Sequence, residues 1–200
     1  MSFRKEEKLH VSKSQLHNLL AWIFENDGYK LYDTRTVSST YFDNKEMQMF
    51  NDSEEGCVPR KKIRVRSYTK SKHKIGASTL EVKTSSVEGR YKTISTNFNL
   101  DKIMTRGFFD KDYGLCKPQV RVNYQRSYYK VHNVRLTIDR NIEYIQINNQ
   151  RESVYKKFES DIIVEVKAGE FVPIEFLYKK FHFDRVRFSK YSKAINSFWR

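Results

Sequence analysis

The stretch Lys61-Lys62-Ile63-Arg64-Val65-Arg66-Ser67-Tyr68 (KKIRVRSY, residues 61–68) decides the reading of the fold. Side chains of a strand alternate between faces, so Lys62, Arg64, Arg66 and Tyr68 share one side while Ile63 and Val65 take the other. The same split recurs along the chain. In STLEVKT (78–84), Glu81 and Lys83 oppose Leu80 and Val82. In VRLTIDR (134–140), Arg135, Thr137 and Asp139 oppose Val134, Leu136 and Ile138. In DIIVEVKA (161–168), Glu165 and Lys167 oppose Val164 and Val166. In VRVNYQRSYY (120–129), Tyr124 and Arg126 share a side with Val120 and Val122. VSSTYFD (37–43), YKTIST (91–96) and, more weakly, FRKEEKLHV (3–11) also read as strands.

Helices fall between and after these strands. Ser12 or Ser14 caps a segment whose Leu16, Leu19, Leu20 and Ile23 recur at helical spacing, and Asn26-Asp27-Gly28 ends it. DKIMTRGFF (101–109) predicts a short helix, VPIEFLYKKFHF (172–183) a second, and FSKYSKAINSFWR (188–200) a loop running into a terminal helix. The expected class is α+β: an antiparallel sheet closed into an eight-stranded barrel, flanked by helices. No fixed-period repeat or low-complexity linker divides the 200 residues, so a single domain over 1–200 is expected.

Composition bounds the rest. Hydrophobic residues are 38% and aromatics 14%, ample for a packed core, which excludes wholesale disorder. The apolar run LLAWIF (19–24) is far shorter than the ~20 residues of a membrane span. MSFRKEEK has no apolar segment of a secretory signal, and the two cysteines, Cys57 and Cys116, make no disulfide framework. A cytoplasmic protein is expected. The net charge of +14 favours a polyanionic partner: nucleic acid, an anionic membrane surface, a polyphosphate or a nucleotide.

The polar faces repeat one chemistry, basic residues in pairs with an occasional carboxylate. A solvated face intersperses charges more loosely, so these faces are expected to turn toward one another around a lumen. Burying unpaired cations costs several kcal/mol each. The lumen must therefore hold water, counter-ions or an anionic ligand, and a linear triphosphate is the natural guest, since it fits arginine forks and lysine ammoniums from all sides. The carboxylates make sense beside it if Mg²⁺ or Mn²⁺ joins them to phosphate oxygens.

FRKEEKLHV, STYFD (39–43), RKKIRVRSY (60–68), LEVK (80–83), VNYQRSYY (122–129), RLTIDRNI (135–142), IVEVKA (163–168) and RFSKY (187–191) occur in order. Together they resemble the vacuolar transporter chaperone domain, the polyphosphate polymerase branch of the triphosphate tunnel metalloenzyme superfamily, which also holds the CYTH domains. The resemblance spans residues 3–195. It implies an eight-stranded tunnel in which the γ-phosphoryl group of ATP or another nucleoside triphosphate passes to polyphosphate. The family's basic residues match Arg64, Arg66, Lys83, Lys92, Arg126, Arg135, Arg187 and Lys190, its metal-binding glutamate matches Glu165 with Lys167 beside it, and Glu6 and Lys8 match its opening pattern. Two departures stand out: Ser85 replaces a second lysine, and Arg4 replaces the first glutamate of the hydrolase branch, which favours the polymerase type.

Phosphoryl transfer asks mainly for positioning and charge neutralisation. Arg64, Arg66, Lys83, Arg126, Arg135 and Lys190 are the expected catalytic clamp. Lys8, Lys62, Lys92, Lys167, Arg187 and Tyr124 are expected to bind substrate, and Glu165, with Glu6 or Glu81, to hold Mn²⁺ or Mg²⁺. The five histidines show no metal spacing, and no Walker A or dinucleotide fingerprint occurs. Lys70–Lys74 (KSKHK) reads as a solvated hairpin turn. Two other functions stay open: a triphosphatase on the same site, and a non-catalytic polyphosphate- or RNA-binding module. Against RNA, Glu81, Asp139 and Glu165 would repel a phosphate backbone.

Overall fold

Twelve strands and five helices form among the residues that the structure, a computed structural model, describes: 4–71, 74–75, 77–148 and 151–199. In chain order they are β1 (Arg4–Val11), α1 (Lys13–Glu25), β2 (Tyr29–Asp43), α2 (Gln48–Glu55), β3 (Arg60–Ser71), β4 (Lys74–Ile75), β5 (Thr79–Ser86) and β6 (Gly89–Ser95). Then follow α3 (Leu100–Arg106), β7 (Phe108–Asp110), β8 (Gly114–Val131), β9 (Val134–Asn148), β10 (Arg151–Glu159), β11 (Ile162–Gly169), α4 (Glu175–Phe181), β12 (Asp184–Arg185) and α5 (Lys190–Trp199). Lys72 and His73 of the basic run at 70–74, and Phe3 of the first motif, lie outside the described residues.

The hydrogen-bonded path runs β12-β1-β11-β9-β8-β2-β3-β5-β6, with β10 on β9, β4 on β3 and β7 on β8. Its two ends do not pair, so the expected closed eight-stranded barrel is corrected to an open sheet of twelve strands. The physical reason is local. Alternation assigns each residue a face but says nothing about which edges find a partner. One terminal strand, β12, is only two residues long, too short to carry a ladder onward. The α+β class, with helices at the flanks, holds.

Contacts divide the chain into two units. The first comprises Met1–Thr36, Tyr124–Ile142 and Glu159–Phe188. Its core packs Leu16, Leu19, Trp22 and Ile23 of α1 with Leu9, Val11, Leu136, Ile138, Val164 and Val166, the apolar faces of β1, β9 and β11. Ser12 caps α1 in a reciprocal box: its hydroxyl accepts from the Gln15 N–H, and the Gln15 side chain accepts from the Ser12 N–H. Asn26 closes the helix, and Gly28 follows so tightly that a Cβ would lie 2.5 Å from the Ile23 carbonyl oxygen. Only glycine fits there.

The second unit comprises Val37–Asn123, Glu143–Phe158 and Ser189–Arg200. Ile63, Val65 and Leu80 pack with Phe42, Met49 and Cys116. Asp43, fully buried, organises this unit. Its carboxylate accepts from the backbone N–H groups of Asn44, Met49 and Phe50 and from the Tyr191 hydroxyl, joining β2, α2 and α5. It thereby caps α2, whose own N-cap, Met47, is left-handed and offers no side-chain acceptor. Burial pushes the Asp43 carboxyl up despite these donors, and it pushes the Cys116 thiol up to about 12.

Candidate functional site

In the first unit the register of β1, β11 and β9 builds the polar face row by row. Glu6 lies opposite Lys167, and Lys167 opposite Arg135. In the next row Lys8 lies opposite Glu165, and Glu165 opposite Thr137. Lys167 Nζ sits 2.6 Å from Glu165 Oε1 and 3.7 Å from Glu6 Oε2, joining the two carboxylates. Arg126 of β8 forks onto Asp139, with Nε 2.6 Å from Oδ1 and Nη2 2.7 Å from Oδ2, and reaches 3.9 Å from Glu165 Oε2. Its guanidinium lies 5.2 Å from the Tyr124 ring centre. Lys8 donates to the Phe188 carbonyl, which fixes the chain just after the exposed Arg187.

Glu165 shows what this crowding does. Burial alone would raise its pKa, but the charges of Lys167 and Arg126, the Lys167 hydrogen bond and Lys8 hold it down at about 2. It is an anion at any physiological pH. Two carboxylates on adjacent strands suit a hard divalent cation that takes one or two protein ligands and completes its shell with phosphate oxygens and water. Among the described residues no group of three His, Cys, Asp or Glu side chains forms a fuller metal cage.

In the second unit β3, β5 and β6 carry the basic face. Lys62 stands opposite Lys83, and Lys83 opposite Lys92, so three lysines line up across three strands. The adjacent row holds Arg64 opposite Glu81. Glu81 Oε2 accepts from Arg64 Nε at 2.6 Å and Nη2 at 2.5 Å, while Oε1 accepts from Lys92 at 2.7 Å with Arg66 Nη1 at 3.8 Å. Lys62 donates to Ser189, the residue before Lys190 at the start of α5. Arg66 is buried and donates to Ser39 and to the Tyr68 hydroxyl. Of the three expected metal carboxylates, then, Glu6 and Glu165 stand together and Glu81 stands among cations.

Burial works against ionisation of Glu81, yet Arg64, Arg66 and Lys92 outweigh it and lower its pKa to about 2. A folded-state pKa below the ordinary 4.5 means that Glu81 stabilises the fold above about pH 4.5, and that this stabilisation fades as pH falls toward about 2. Glu81→Gln should accordingly be less stable than wild type at pH 7, with the gap closing toward pH 2. Urea midpoints across that range measure it.

Tyr41 of β2 lies outside the expected site, and the structure brings it against Arg64 of this face. Its hydroxyl accepts from Arg64 Nη1 at 3.2 Å, and its ring stacks on Tyr191 at 5.3 Å. Burial raises its pKa, but Arg64, Arg66 and Lys190 together bring it down to about 8. Asp139, on the polar face with Arg135 and Thr137, is the anchor of Arg126. Arg35 was missed altogether. Its signal lies in the parity it shares with Ser39 and Tyr41 along β2.

The fold has counterparts among solved structures. A proposed adenylate cyclase from Vibrio parahaemolyticus is 15% identical, with 98% of each chain covered and a TM-score of 0.58. HpAC1 from Hippeastrum, reported with a dominant triphosphatase activity, is 13% identical, with 98% of this chain and 96% of that chain covered and a TM-score of 0.58. The likeness to both is one of fold. The family model for the VTC domain matches residues 3–114 and 107–199, and the chain belongs to the VTC domain family, as its motifs suggested. A search of curated proteins finds no match. Among the described residues, no helix is long and apolar enough to cross a membrane.

Proposed function

We propose that residues 1–200 act as one catalytic domain, a cytoplasmic metal-dependent phosphotransferase that moves the γ-phosphoryl group of ATP, or another nucleoside triphosphate, onto a growing polyphosphate chain. The observation that carries this reading is the row Lys62–Lys83–Lys92. Like charges directly opposite one another destabilise a sheet, and a polyanion along the row reverses the sign. Membership of the VTC domain family supports the reading. So does the Glu6–Glu165 pair, which a simple groove for polyanions does not need. The two cysteines are free thiols, in keeping with a reducing compartment.

In this reading Arg64, Arg66, Lys83, Arg126, Arg135 and Lys190 clamp the phosphates and neutralise charge that develops in the transition state. Lys8, Lys62, Lys92, Lys167, Arg187 and Tyr124 complete the binding surface. Glu165 and Glu6 would hold Mn²⁺ or Mg²⁺, which supplies further neutralisation of phosphate oxygens when bound. Glu81, with both oxygens engaged by cations, positions Arg64 and Lys92. A terminal oxygen of the acceptor chain forms the new bond to the γ-phosphorus as the bond to the β–γ bridging oxygen breaks, and a nucleoside diphosphate leaves. The acceptor is already ionised, so no protein nucleophile is required.

Phosphorus NMR after incubation with ATP and Mn²⁺ tests the proposal. Internal phosphoanhydride signals growing with ADP are expected. Orthophosphate without polymer would replace it with a triphosphatase, and an unchanged spectrum would leave only a binding module.

A further inference from the structure

One arginine of the first unit, Arg35, lies outside every role assigned above. The Arg35 guanidinium of β2 lies 4.7 Å from the Tyr32 ring centre and 5.6 Å from that of Tyr128 on β8. Arg135 of β9 lies 5.7 Å from the same Tyr128 ring. Tyr32 meets Tyr128 edge to face, at 5.5 Å between ring centres. Two guanidinium groups thus rest on one tyrosine, and that tyrosine is only 5% exposed. Lys167, the cross-strand partner of Arg135, brings a third cation alongside.

Neither Arg35 nor Arg135 makes an ion pair or a hydrogen bond among the described residues. In this they differ from Arg64, Arg121, Arg126 and Arg185, each of which meets a carboxylate. Contact with a ring uses the face or rim of a guanidinium and leaves N–H donors uncommitted. A ring quadrupole does not cancel a charge, so both charges persist at the Tyr128 ring. The buried Tyr128 ring holds them there, ordered in advance for an anion. The row of Arg135 on β9 is two residues from the Glu165–Thr137 row, about 7 Å along the strand.

We propose that Arg35 is a phosphate-binding residue which, with Arg135 on the Tyr128 ring, forms a two-guanidinium clamp for adjacent phosphoryl groups of a linear polyphosphate or a nucleoside triphosphate. The proposal deepens the functional reading above and rests on its assignment of phosphate to this face. Planar N–H edges suit tetrahedral phosphoryl oxygens, which accept from arginine in pairs. Tyr32 and Tyr128 act as positioning residues that hold the forks.

Calorimetric binding of sodium tripolyphosphate and of ATP, both without metal, tests the clamp. Arg35→Ala is expected to weaken binding by about 10-fold or more, the loss of a charged hydrogen bond. Arg35→Lys, which keeps the charge and loses the fork, is expected to fall between it and wild type and guards against a misfolded alanine variant. Loss for both ligands supports a clamp on the phosphoryl groups they share. Loss for tripolyphosphate alone, or for ATP alone, supports it and names the source as the polymer or the nucleotide. Arg185→Gln removes a charge of the same unit outside the cluster and is expected to leave both affinities unchanged; an equal loss there would reduce the effect to bulk charge and overturn the clamp. Unchanged affinity in folded Arg35→Ala and Arg35→Lys overturns it too, as does a wild type that binds neither ligand, which also ends the triphosphate reading. A wild type that binds both ligands but makes no polymer ends the polymerase reading alone.

Discussion

Arg126→Ala is expected to lower stability by about 3–5 kcal/mol and to abolish tight triphosphate binding. The size follows from what the guanidinium leaves behind. Asp139 is 1% exposed and takes two hydrogen bonds from Arg126, one to each oxygen. Without the arginine a carboxylate stays buried with its main partner gone, and a buried charge deprived of its partner costs far more than the pair contributed. Glu165 loses a neighbouring cation as well, 3.9 Å away. Burial opposes the Arg126 charge, but Asp139 above all, with Tyr124 and Glu165, holds its proton more firmly than usual, so the residue is a fixed charge. Urea midpoints at unchanged slope measure the loss. The double variant Arg126→Ala with Asp139→Asn should recover part of it, because the stranded charge is gone. A single-variant loss below about 1 kcal/mol would place the pair in the range of screened surface bridges and overturn this account.

The faces of the strands were legible in the sequence because burial enforces period two. Ile63, Val65, Leu136, Ile138, Val164 and Val166 all lie in the core, as their alternation required. Helix α1 was legible through Ser12 and Asn26, whose capping acts within a few residues. Helix α2 was not. Its acceptor, Asp43, lies five residues ahead of its first turn, and nothing adjacent to Gln48 announces a start. Strand β10 is not marked in the sequence: among the described residues it pairs with β9, and its Tyr155 and Phe158 are exposed, so these aromatics carry no signal of a buried face.

The candidate site divides along the same line. Strand parity puts Lys62, Arg64 and Arg66 on one side of β3. Parity does not say what Glu81 faces. Glu81 meets Arg64, seventeen residues away in sequence, and Lys92, eleven away, through pairing that only the β3–β5–β6 register creates. Arg35 escaped because β2 begins at Tyr29, eight residues before the β-branched and aromatic stretch that marked the strand. Its exposed first half carries no apolar alternation. Closure of a barrel follows only where the charge needs enclosing, a demand that an open hydrogen-bonded ladder does not have to meet.

Glu165→Gln is expected to reduce metal-dependent turnover by at least about 100-fold, because even partners one shell removed from a metal cost 10–100-fold. The fold should survive. Glutamine has the same shape and keeps a carbonyl oxygen for Lys167, which sits 2.6 Å from Glu165 Oε1. The nearby cations lose a counter-charge, but Lys167 retains Glu6 at 3.7 Å and Arg126 retains its fork on Asp139. What the amide cannot supply is the negative charge that draws a divalent cation to this face. Two measurements separate that deficit from a general weakening of the site. Raising Mn²⁺ should recover part of the turnover if metal affinity is what was lost, whereas raising ATP at fixed metal should recover none. Metal-free tripolyphosphate should bind the variant at least as well as wild type, since a carboxylate that repels phosphate has been neutralised. Glu6→Gln should behave in the same direction if the two carboxylates share one ion. Full turnover in Glu165→Gln at ordinary Mn²⁺ would remove Glu165 from the metal, and with it the argument that this face does chemistry as well as binding.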